Sequence, residues 1–220
     1  MKLEPSSAIV RIDAKAVARA VIFAARKDIR FYLLGVCIRP RRDGSAMALG
    51  TNGHVLGIFH DLGGRAEREV ILPLRRSHIP ALKKSEHVLV SADGEVWLTD
   101  KAGTPTFIHT EPLIEADYPK THTIVLPPEQ YRRGLAGVYN PEYVALVHAA
   151  AKVAPSKYQS VRFYESGLEG SAALATISGV DGLIVLMGMR GEPNNDQLAA
   201  RIPEDLYSAP DSNEASEAVA

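Results

Sequence analysis

The chain has 220 residues, of which 46% are hydrophobic, and a chain of this size and composition can bury a core in one or two domains. Its single cysteine, Cys37, excludes an internal disulfide and lies in a strand-like run, which indicates a reduced, cytoplasmic compartment. The N-terminal residues lack the basic-then-apolar layout of a secretion signal and no apolar run is long enough to cross a bilayer, so we expect no membrane role.

Charge is unevenly distributed, although the net charge is only −1. The last thirty residues hold seven acids and one base, Arg201, which leaves 24 bases against 19 acids in the remainder, a net charge of +5. Almost no large apolar side chain follows Tyr207. Residues 192–220 are therefore predicted to form an acidic tail that is largely disordered beyond Leu206.

One order of elements, a short strand followed by a helix and three strands, is predicted three times along the chain. The first copy opens with an alternating strand over residues 8–12, and Asp13 is the predicted N-cap of a helix that runs to about Lys27. Asn52-Gly53 is a strong hairpin signal between the last two strands of this copy. The three strands are predicted over residues 31–39, 46–51 and 54–60.

The second copy begins with a strand over residues 69–73. A short helix over residues 74–82 follows, shortened by Pro80, which removes a helical hydrogen bond. Three strands are predicted after this helix, over residues 87–91, 96–99 and 106–110. Ala92-Asp93-Gly94 is the predicted turn between the first and the second of them.

The third copy opens with a strand over residues 133–139. Asn140-Pro141-Glu142 predicts the start of a helix, because a capping Asn, a Pro at the first position and an acid facing the helix dipole all favour one. This helix is predicted to reach about Val153. Three strands complete the copy, over residues 160–164, 172–178 and 183–189.

Three separated motifs resemble one protein family. Residues 31–36 (FYLLGV), 51–56 (TNGHVL) and 186–190 (LMGMR) are similar to the RYYLNG strand, the ATDGHRL hairpin and the terminal MPMRL strand of the bacterial DNA polymerase III sliding clamp. Residues 114–119 (IEADYP) also resemble the DGRFPDY linker between domains of that family. The resemblance covers residues 8–191 and implies an α+β DNA-clamp fold of about three strand-helix-three-strand units.

The resemblance also implies a domain division. A clamp domain consists of two units, so residues 1–127 are expected to form a clamp-like domain and residues 128–191 a clamp-like half-domain. The family's first domain and the first half of its last domain have no counterpart in this sequence. Both walls of the family's pocket for partner peptides are retained, which implies peptide binding as the preserved activity.

The chemistry of the ligand explains the residue types of the peptide pocket that the resemblance implies. A partner's Leu and Phe side chains need an apolar cleft with adaptable walls, and unbranched Met fills irregular shapes well. Asn52, Val55 and Gly188 replace the family's Asp, Arg and Pro, which predicts a wider and less polar pocket. Gln197-Leu198 in the tail resembles the start of clamp-binding peptides, so the tail itself is a hypothetical occupant. Carried over residue by residue, the pocket comprises Leu33, Thr51, Gly53, His54, Val55, Leu56, Pro127, Val185, Met187, Met189 and Arg190.

Without the resemblance, the same residues would be interpreted as ordinary structure. Met187 and Met189 alternate on a strand, where core packing explains such residues, and His54 would be an ordinary hairpin residue. No second histidine with a carboxylate lies at a spacing typical of a metal site or a catalytic triad. The sequence therefore predicts no catalytic residue, no metal, no cofactor and no enzymatic activity.

A cationic helix face is the second candidate site. On a helical wheel Lys15, Arg19 and Arg26 fall within roughly 40°, opposite Val17 and Val21. Clamp helices line the hole of the ring and meet phosphates without reading bases, so the resemblance implies non-sequence-specific contact with double-stranded DNA. A solvated amphipathic face is an equally good interpretation, since a charge of +5 is modest. The other bases expected on this surface are Arg75, Arg76, Lys83, Lys84, Lys152 and Lys157.

The resemblance implies a DNA replication processivity factor that binds DNA polymerase or other clamp-binding proteins through short peptide motifs. Such a factor would assemble as a homo-oligomer around DNA. Three units per chain would close a ring of twelve units as a tetramer, through pairing of edge strands between subunits. The alternative is an adaptor or decoy that captures clamp-binding peptides without encircling DNA.

Overall fold

The structure is a computed structural model, and it describes residues 7–108, 110–121, 124–125, 130, 132–133, 139–153, 160–166 and 172–189. In this part of the chain the helices are α1 (Ala14–Phe23), α2 (Ile79–Lys84) and α3 (Pro141–Ala151). The first unit contains the strands β1 (Val10–Asp13), β2 (Val36–Pro40), β3 (Ala46–Thr51), β4 (Val55–Asp61) and β5 (Arg65–Ala66). The second contains β6 (Val70–Leu72), β7 (His87–Val90), β8 (Val96–Thr99) and β9 (Pro105–Ile108). The third contains β10 (Arg132–Arg133), β11 (Val161–Glu165), β12 (Ala173–Ile177) and β13 (Gly182–Leu186).

Helix α1 begins where the sequence predicts and ends early. The carboxylate of Asp13 accepts hydrogen bonds from the backbone N–H groups of Lys15 and Ala16 at 3.0 and 3.2 Å, which confirms the predicted N-cap. The predicted end near Lys27 is wrong, because the helix stops at Phe23. The N–H of Ala25 donates to the carbonyl of Leu33 at 2.9 Å, so a loop takes the place of the next helical turn.

Residues 31–34 form a 3-10 helix, Phe31–Leu34, instead of the start of a strand. The N–H of Leu33 donates to the carbonyl of Arg30 at 2.9 Å, a local turn that the apolar pattern does not reveal. The strand β2 consequently starts at Val36. Leu33 is buried, with 1% of its surface exposed.

Most other element bounds agree with the prediction to within two residues. Helix α2 is later and shorter than predicted, because a 3-10 turn (Arg76–His78) precedes it. Pro80 lies in its first turn, where the missing N–H has no helical partner to lose. The side-chain amide oxygen of Asn140 accepts from the N–H of Glu142 at 2.9 Å, which confirms the start of α3. The last strand ends at Leu186 and not at 189, and residues 134–138 of the strand predicted at 133–139 lie outside the described residues.

Over the described residues the strands form two antiparallel sheets that exchange their first strands. The five-stranded sheet has the order β5-β1-β7-β8-β9, and the eight-stranded sheet has the order β10-β11-β12-β13-β4-β3-β2-β6. The opening strand of the first unit, β1, therefore pairs with the second unit, and β6 of the second unit pairs with β2 of the first. The two units are interlocked, since neither sheet is completed by one unit alone.

The third unit extends the eight-stranded sheet. Strand β13 pairs with β4 in the register Val185↔Leu56 and Leu186↔Val55. One core includes the inner faces of both sheets and the helices, with Phe23, Phe59 and Leu186 among its members. The predicted boundary at residue 127 and the predicted tail at residues 192–220 lie outside the described residues and stay predictions.

A second core covers the outer face of the eight-stranded sheet. Tyr118 packs there with Cys37 and Leu49, and its hydroxyl donates to the carbonyl of Leu49 at 3.4 Å. The segment around Tyr118 is the one that resembles the family's interdomain linker. Residues Ile114, Ile124 and Val125 pack against the same cluster. The outer face is therefore apolar and covered in part by this segment.

Candidate functional site

Strand pairing places three of the predicted pocket residues on one face of the sheet. Thr51 pairs with Leu56, and Leu56 pairs with Val185, so the three side chains form a row across β3, β4 and β13. Met187 is the first residue after β13. The backbone N–H of Met187 donates to the carbonyl of His54 at 3.0 Å. The first and third units thus meet as hydrogen-bonded neighbours.

The hairpin tip between β3 and β4 is held by its own polar groups. The side-chain oxygen of Asn52 accepts from the N–H groups of His54 and Val55, each at 3.0 Å. The hydroxyl of Thr51 donates to the carbonyl of Val55 at 2.8 Å and accepts from the N–H of Gly53 at 3.0 Å. Gly53 has a φ of 89°, which a residue with a side chain rarely adopts. The predicted hairpin is confirmed, with a well-defined turn.

His54 connects this tip to α3. Its imidazole stacks on the ring of Tyr143, with centroids 5.6 Å apart and planes inclined by 11°. Tyr143 lies in the first turn of α3, and the sequence analysis missed it because no local signal relates residues 54 and 143. The stacked pair aligns the hairpin with the third unit.

The candidate pocket has a buried floor and an exposed rim. Leu56 and Val185 are 5% and 1% exposed, whereas Met187 and Met189 are 40% and 52% exposed. Exposed large apolar side chains mark a binding site where they form a contiguous patch, whereas single ones are ordinary. Phe31 is also exposed, at 54%, and its neighbour Tyr32 packs against the outer cluster. The structure thus leaves apolar surface where the sequence predicts a peptide-binding site.

Other predicted pocket residues have different surroundings. Val55 points into the inner core, where it packs with Leu186 and other buried residues. Leu33 is the buried residue of the 3-10 helix, so it supports the site without forming its surface. Pro127 and Arg190 lie outside the described residues.

Charged groups are few near the hairpin. Asp28 accepts from the guanidinium of Arg30 at 2.8 and 3.0 Å, and these hydrogen bonds lower the pKa of Asp28 to about 2. The guanidinium of Arg30 lies against Gly53, where an added Cβ would meet it at 2.7 Å. On the outer face, burial raises the pKa values of Cys37 and Tyr118. Both groups therefore stay neutral and act as packing residues.

Arg19 was wrongly predicted as part of a cationic surface on α1, whereas Lys15 is partly exposed and Arg26 is exposed. Arg19 is only 6% exposed, and its guanidinium donates to the carbonyl of Val153 at 3.3 Å. Burial lowers the pKa of Arg19, with the charge of Asp13 acting in the opposite direction. Arg26 lies after the end of α1 at Phe23, so a helical wheel does not describe the direction of its side chain. Lys15 is partly exposed and lies 3.8 Å from the carboxylate of Glu86.

The remaining predicted DNA contacts are divided between exposed and engaged groups. Arg75 forms an ion pair with Glu111 at 2.6 Å. Arg76 donates from one terminal nitrogen to the carbonyl of Ile22 at 2.6 Å, which caps the C-terminal end of α1. Lys157 is outside the described residues, while three lysines are exposed: Lys83, Lys84 and Lys152.

Among the described residues, no helix has the length and apolarity that a bilayer-spanning helix needs. Within the same residues, no three or more His, Cys, Asp or Glu side chains lie close enough to hold a metal ion.

Solved structures match this fold, although no protein-family model and no curated protein matches the sequence. The chain is similar to the DNA polymerase sliding clamp from Pseudomonas aeruginosa solved with a ligand, with a TM-score of 0.59 and 18% identity over 84% of this chain and 67% of that chain. DNA polymerase III subunit beta from Pseudomonas aeruginosa matches with a TM-score of 0.57 and 18% identity over 86% of this chain and 69% of that chain. The beta subunit from DNA polymerase of Streptococcus pyogenes matches with a TM-score of 0.58 and 13% identity over 82% of this chain and 65% of that chain.

These similarities extend over most of the chain but only part of each clamp. The chain spans about two thirds of the length of the clamps it matches. At identities below one in five, such likeness establishes the arrangement of strands and helices and leaves the binding chemistry to this chain's own residues. The α+β sliding-clamp fold expected from the sequence is confirmed, and the protein shares the fold of the bacterial DNA polymerase sliding clamps.

Proposed function

We propose that this protein is a non-enzymatic, sliding-clamp-like processivity factor that binds short apolar segments of DNA polymerases or repair proteins. The single observation that carries the proposal is the junction of β4 and β13. There the row Thr51, Leu56 and Val185 forms a buried floor beside the exposed Met187 and Met189. An extended peptide with two apolar anchors fits a surface of this kind.

The residue types on this surface suit such a ligand. Met187 and Met189 have unbranched side chains that adapt to a Leu or Phe anchor. The backbone hydrogen bond from Met187 to His54 and the stacking of His54 on Tyr143 hold the hairpin and the third unit in register before any ligand arrives. Because the walls are ordered in advance, less conformational entropy is lost on binding.

The DNA-dependent part of the proposal requires a ring. A homo-oligomer of head-to-tail subunits would need an edge strand that pairs with a neighbouring chain. Among the described strands, β5 and β9 end the five-stranded sheet, and β9, the longer of the two, is the candidate for that contact. Double-stranded DNA would then pass through the ring and meet exposed bases such as Lys83, Lys84 and Lys152.

One observation favours the adaptor as a second candidate. Nine of the ten residues of α1 are buried, including Arg19, so this helix has little cationic surface to offer to DNA. An adaptor would bind the same peptides without encircling DNA. Light scattering in solution separates the two: a closed oligomer with salt-sensitive DNA association supports the processivity factor, and a monomer or simple dimer supports the adaptor.

Fluorescence anisotropy tests the peptide site. A labelled peptide of the Gln-Leu-x-Leu-Phe type is titrated with the wild-type chain and with Met187→Asp. We expect saturable binding that Met187→Asp weakens about tenfold or more, because a carboxylate is placed where an apolar anchor binds. Since Met187 is 40% exposed, the substitution should leave the fold intact, which the melting temperature checks.

Leu62→Asp is the matched control for this experiment. Leu62 is 69% exposed and follows the far end of β4, so the change adds the same charge at an exposed apolar position away from the hairpin. It should bind the peptide like the wild type. An equal loss in both variants, or no saturable binding by the wild-type chain, would contradict the peptide site.

A further inference from the structure

The turn between β3 and β4 contains a chemically reactive dipeptide, Asn52-Gly53. The chain has five asparagines, and Asn52 is the one that a glycine follows. The backbone nitrogen of the next residue can attack an asparagine side chain and close a five-membered ring, and glycine has no Cβ to obstruct this attack. Asn52 is partly exposed and Gly53 is exposed, so water has access to the reacting atoms.

The turn polarises the side chain that is open to attack. The Oδ1 atom of Asn52 accepts hydrogen bonds from the backbone N–H groups of His54 and Val55, each at 3.0 Å. Attack on Cγ converts Oδ1 into an oxyanion, and two backbone donors at this distance stabilise such an oxyanion. The fold therefore supplies an arrangement that an Asn-Gly sequence does not have by itself.

The attacking nitrogen is restrained by one neutral hydrogen bond. The N–H of Gly53 donates to the hydroxyl of Thr51 at 3.0 Å, and this hydroxyl donates to the carbonyl of Val55 at 2.8 Å. The guanidinium of Arg30 lies against Gly53, where an added Cβ would be 2.7 Å from it. A cation beside the nitrogen favours the loss of its proton, and the ion pair of Arg30 with Asp28 offsets part of this effect.

We propose that Asn52 is a self-modification site, at which the folded chain converts a side-chain amide to a carboxylate. The nitrogen of Gly53 loses its proton to hydroxide and attacks Cγ of Asn52. A C–N bond forms and closes a succinimide ring, while the bond to the side-chain nitrogen breaks and this nitrogen takes up a proton and leaves as ammonia.

Water then opens the succinimide ring in one of two ways. Addition of water to Cγ breaks the new C–N bond and gives aspartate. Addition to the backbone carbonyl carbon of residue 52 breaks the original peptide bond and gives isoaspartate. The net reaction consumes one water and releases one ammonia, and no group is oxidised or reduced.

Both products add a negative charge beside the candidate peptide site. Aspartate keeps the hydrogen bonds from His54 and Val55, which become charge-assisted, and it is the residue that the clamp family has at this position. Isoaspartate inserts a methylene group into the backbone close to His54, whose carbonyl accepts from Met187. The reaction depends on the turn alone, so the proposal stands whether or not a peptide binds.

Mass spectrometry of the full chain after incubation between pH 7 and pH 9 tests the proposal. Trypsin releases residues 43–65, in which Asn52 is the only asparagine. Relative to a sample that was not incubated, we expect this fragment to gain about 1 Da, the difference between an amide and a carboxyl group. The gain should be faster at higher pH, because the attacking nitrogen must first lose a proton.

Asn140 is the reference within the same chain. Its side-chain oxygen also accepts from a backbone N–H, that of Glu142 at 2.9 Å. The next residue, Pro141, has no N–H and cannot attack. Residues 134–152, the tryptic fragment that contains Asn140, should therefore keep their mass.

Two glycine variants separate the turn from general effects of substitution. Gly53→Ala adds a Cβ beside the attacking nitrogen at a φ of 89° and should slow the gain about tenfold or more. Gly44→Ala makes the same change at a φ of 83° in the turn between β2 and β3, where no atom lies within 4 Å of the new Cβ, and should leave the rate at Asn52 unchanged. If Gly53→Ala does not fold, Asn52→Gln takes its place and should keep its mass, because its longer side chain would have to close a six-membered ring.

The same incubation in guanidinium chloride measures what the fold contributes. We expect the folded chain to react at least as fast as the unfolded chain, because the N–H groups of His54 and Val55 reach Oδ1 only in the turn. A slower reaction in the folded chain, equal slowing in the two glycine variants, or no gain in residues 43–65 overturns the proposal. None of these results affects the peptide experiment.

Discussion

The hairpin between β3 and β4 belongs to the eight-stranded sheet on which helix α1 packs, yet the hairpin and the helix leave very different surfaces open to solvent. Helix α1 packs on β3 and β4 and is buried on nearly all sides, so that its one internal arginine, Arg19, is enclosed. The hairpin places Gly53 and His54 in solvent beside the exposed Met187.

The difference shows what makes a surface available for binding. A helix between two sheets has no face left over, even when its sequence has amphipathic charge spacing. A hairpin at the junction of two units extends past the sheet, so its apolar neighbours remain exposed. Candidate binding residues are therefore better judged from the layers around an element than from the element's own pattern.

The largest expected effect comes from breaking the contact between α1 and the sheet. A Cβ at Gly50 would lie 1.9 Å from the backbone carbonyl oxygen of Ala20, and neither backbone can yield without moving the helix. We expect Gly50→Ala to lower the free energy of unfolding by about 4 kcal/mol or more. Urea denaturation measures the loss.

Gly53→Ala provides the contrast within the hairpin. Gly53 has a φ of 89°, and an added Cβ meets only the flexible guanidinium of Arg30, so the expected loss is about 1 kcal/mol from backbone strain. If the two substitutions cost the same, the close contact of α1 with β3 would not be the feature that encloses the helix.

A medium effect on stability is expected when the buried positive charge of α1 is removed. Arg19→Met keeps a long side chain but removes a buried guanidinium whose Nε has no acceptor among the described residues. We expect the free energy of unfolding to rise by about 1 kcal/mol, because the desolvation cost of the charge exceeds the value of its bond to Val153. DNA affinity should not change, since the group is covered.

Lys152→Gln is the control for that prediction. It removes one positive charge at an exposed position just after α3, so it should weaken any DNA association more than Arg19→Met does. A filter-binding assay at low salt compares the two variants. A larger loss with Arg19→Met at an unchanged melting temperature would mean that Arg19 reaches DNA after all.

The smallest effect concerns pH and the strand pair that supports the hairpin. His60 lies on β4, and its backbone N–H donates to the carbonyl of Asp181 at 2.8 Å. Burial lowers the pKa of the His60 imidazole. The charge of Asp181 opposes this shift, and the charge of Arg41 adds to it. The unfolded chain therefore binds the proton more readily than the folded chain. Stability should be fully present above the ordinary histidine pKa of about 6.5 and decrease as the pH falls below it.

Chemical denaturation between pH 7 and pH 5 measures this contribution. His60→Gln should flatten the decrease in stability on the acidic side, whereas His148→Gln, at an exposed position of α3, should leave it as in the wild type. An unchanged slope in His60→Gln would assign the pH dependence to other groups.

Much of the candidate site was predictable because its signals are local. The alternation of β3 and β4, the Asn52-Gly53 turn and the capping residues Asp13 and Asn140 each depend on a few neighbouring residues. The combination of residues 51–56 with residues 186–190 came from motif resemblance, and the pairing of β4 with β13 agrees with it.

The rest depends on contacts between distant residues. The sequence by itself determined the kinds of elements, their order and most of their ends, because propensity and periodicity act over a few residues. Only the tertiary structure decided that β1 and β6 exchange sheets and that Arg19 is enclosed. Strand pairing and burial are set by long-range packing, and packing overrides the local pattern wherever the two compete.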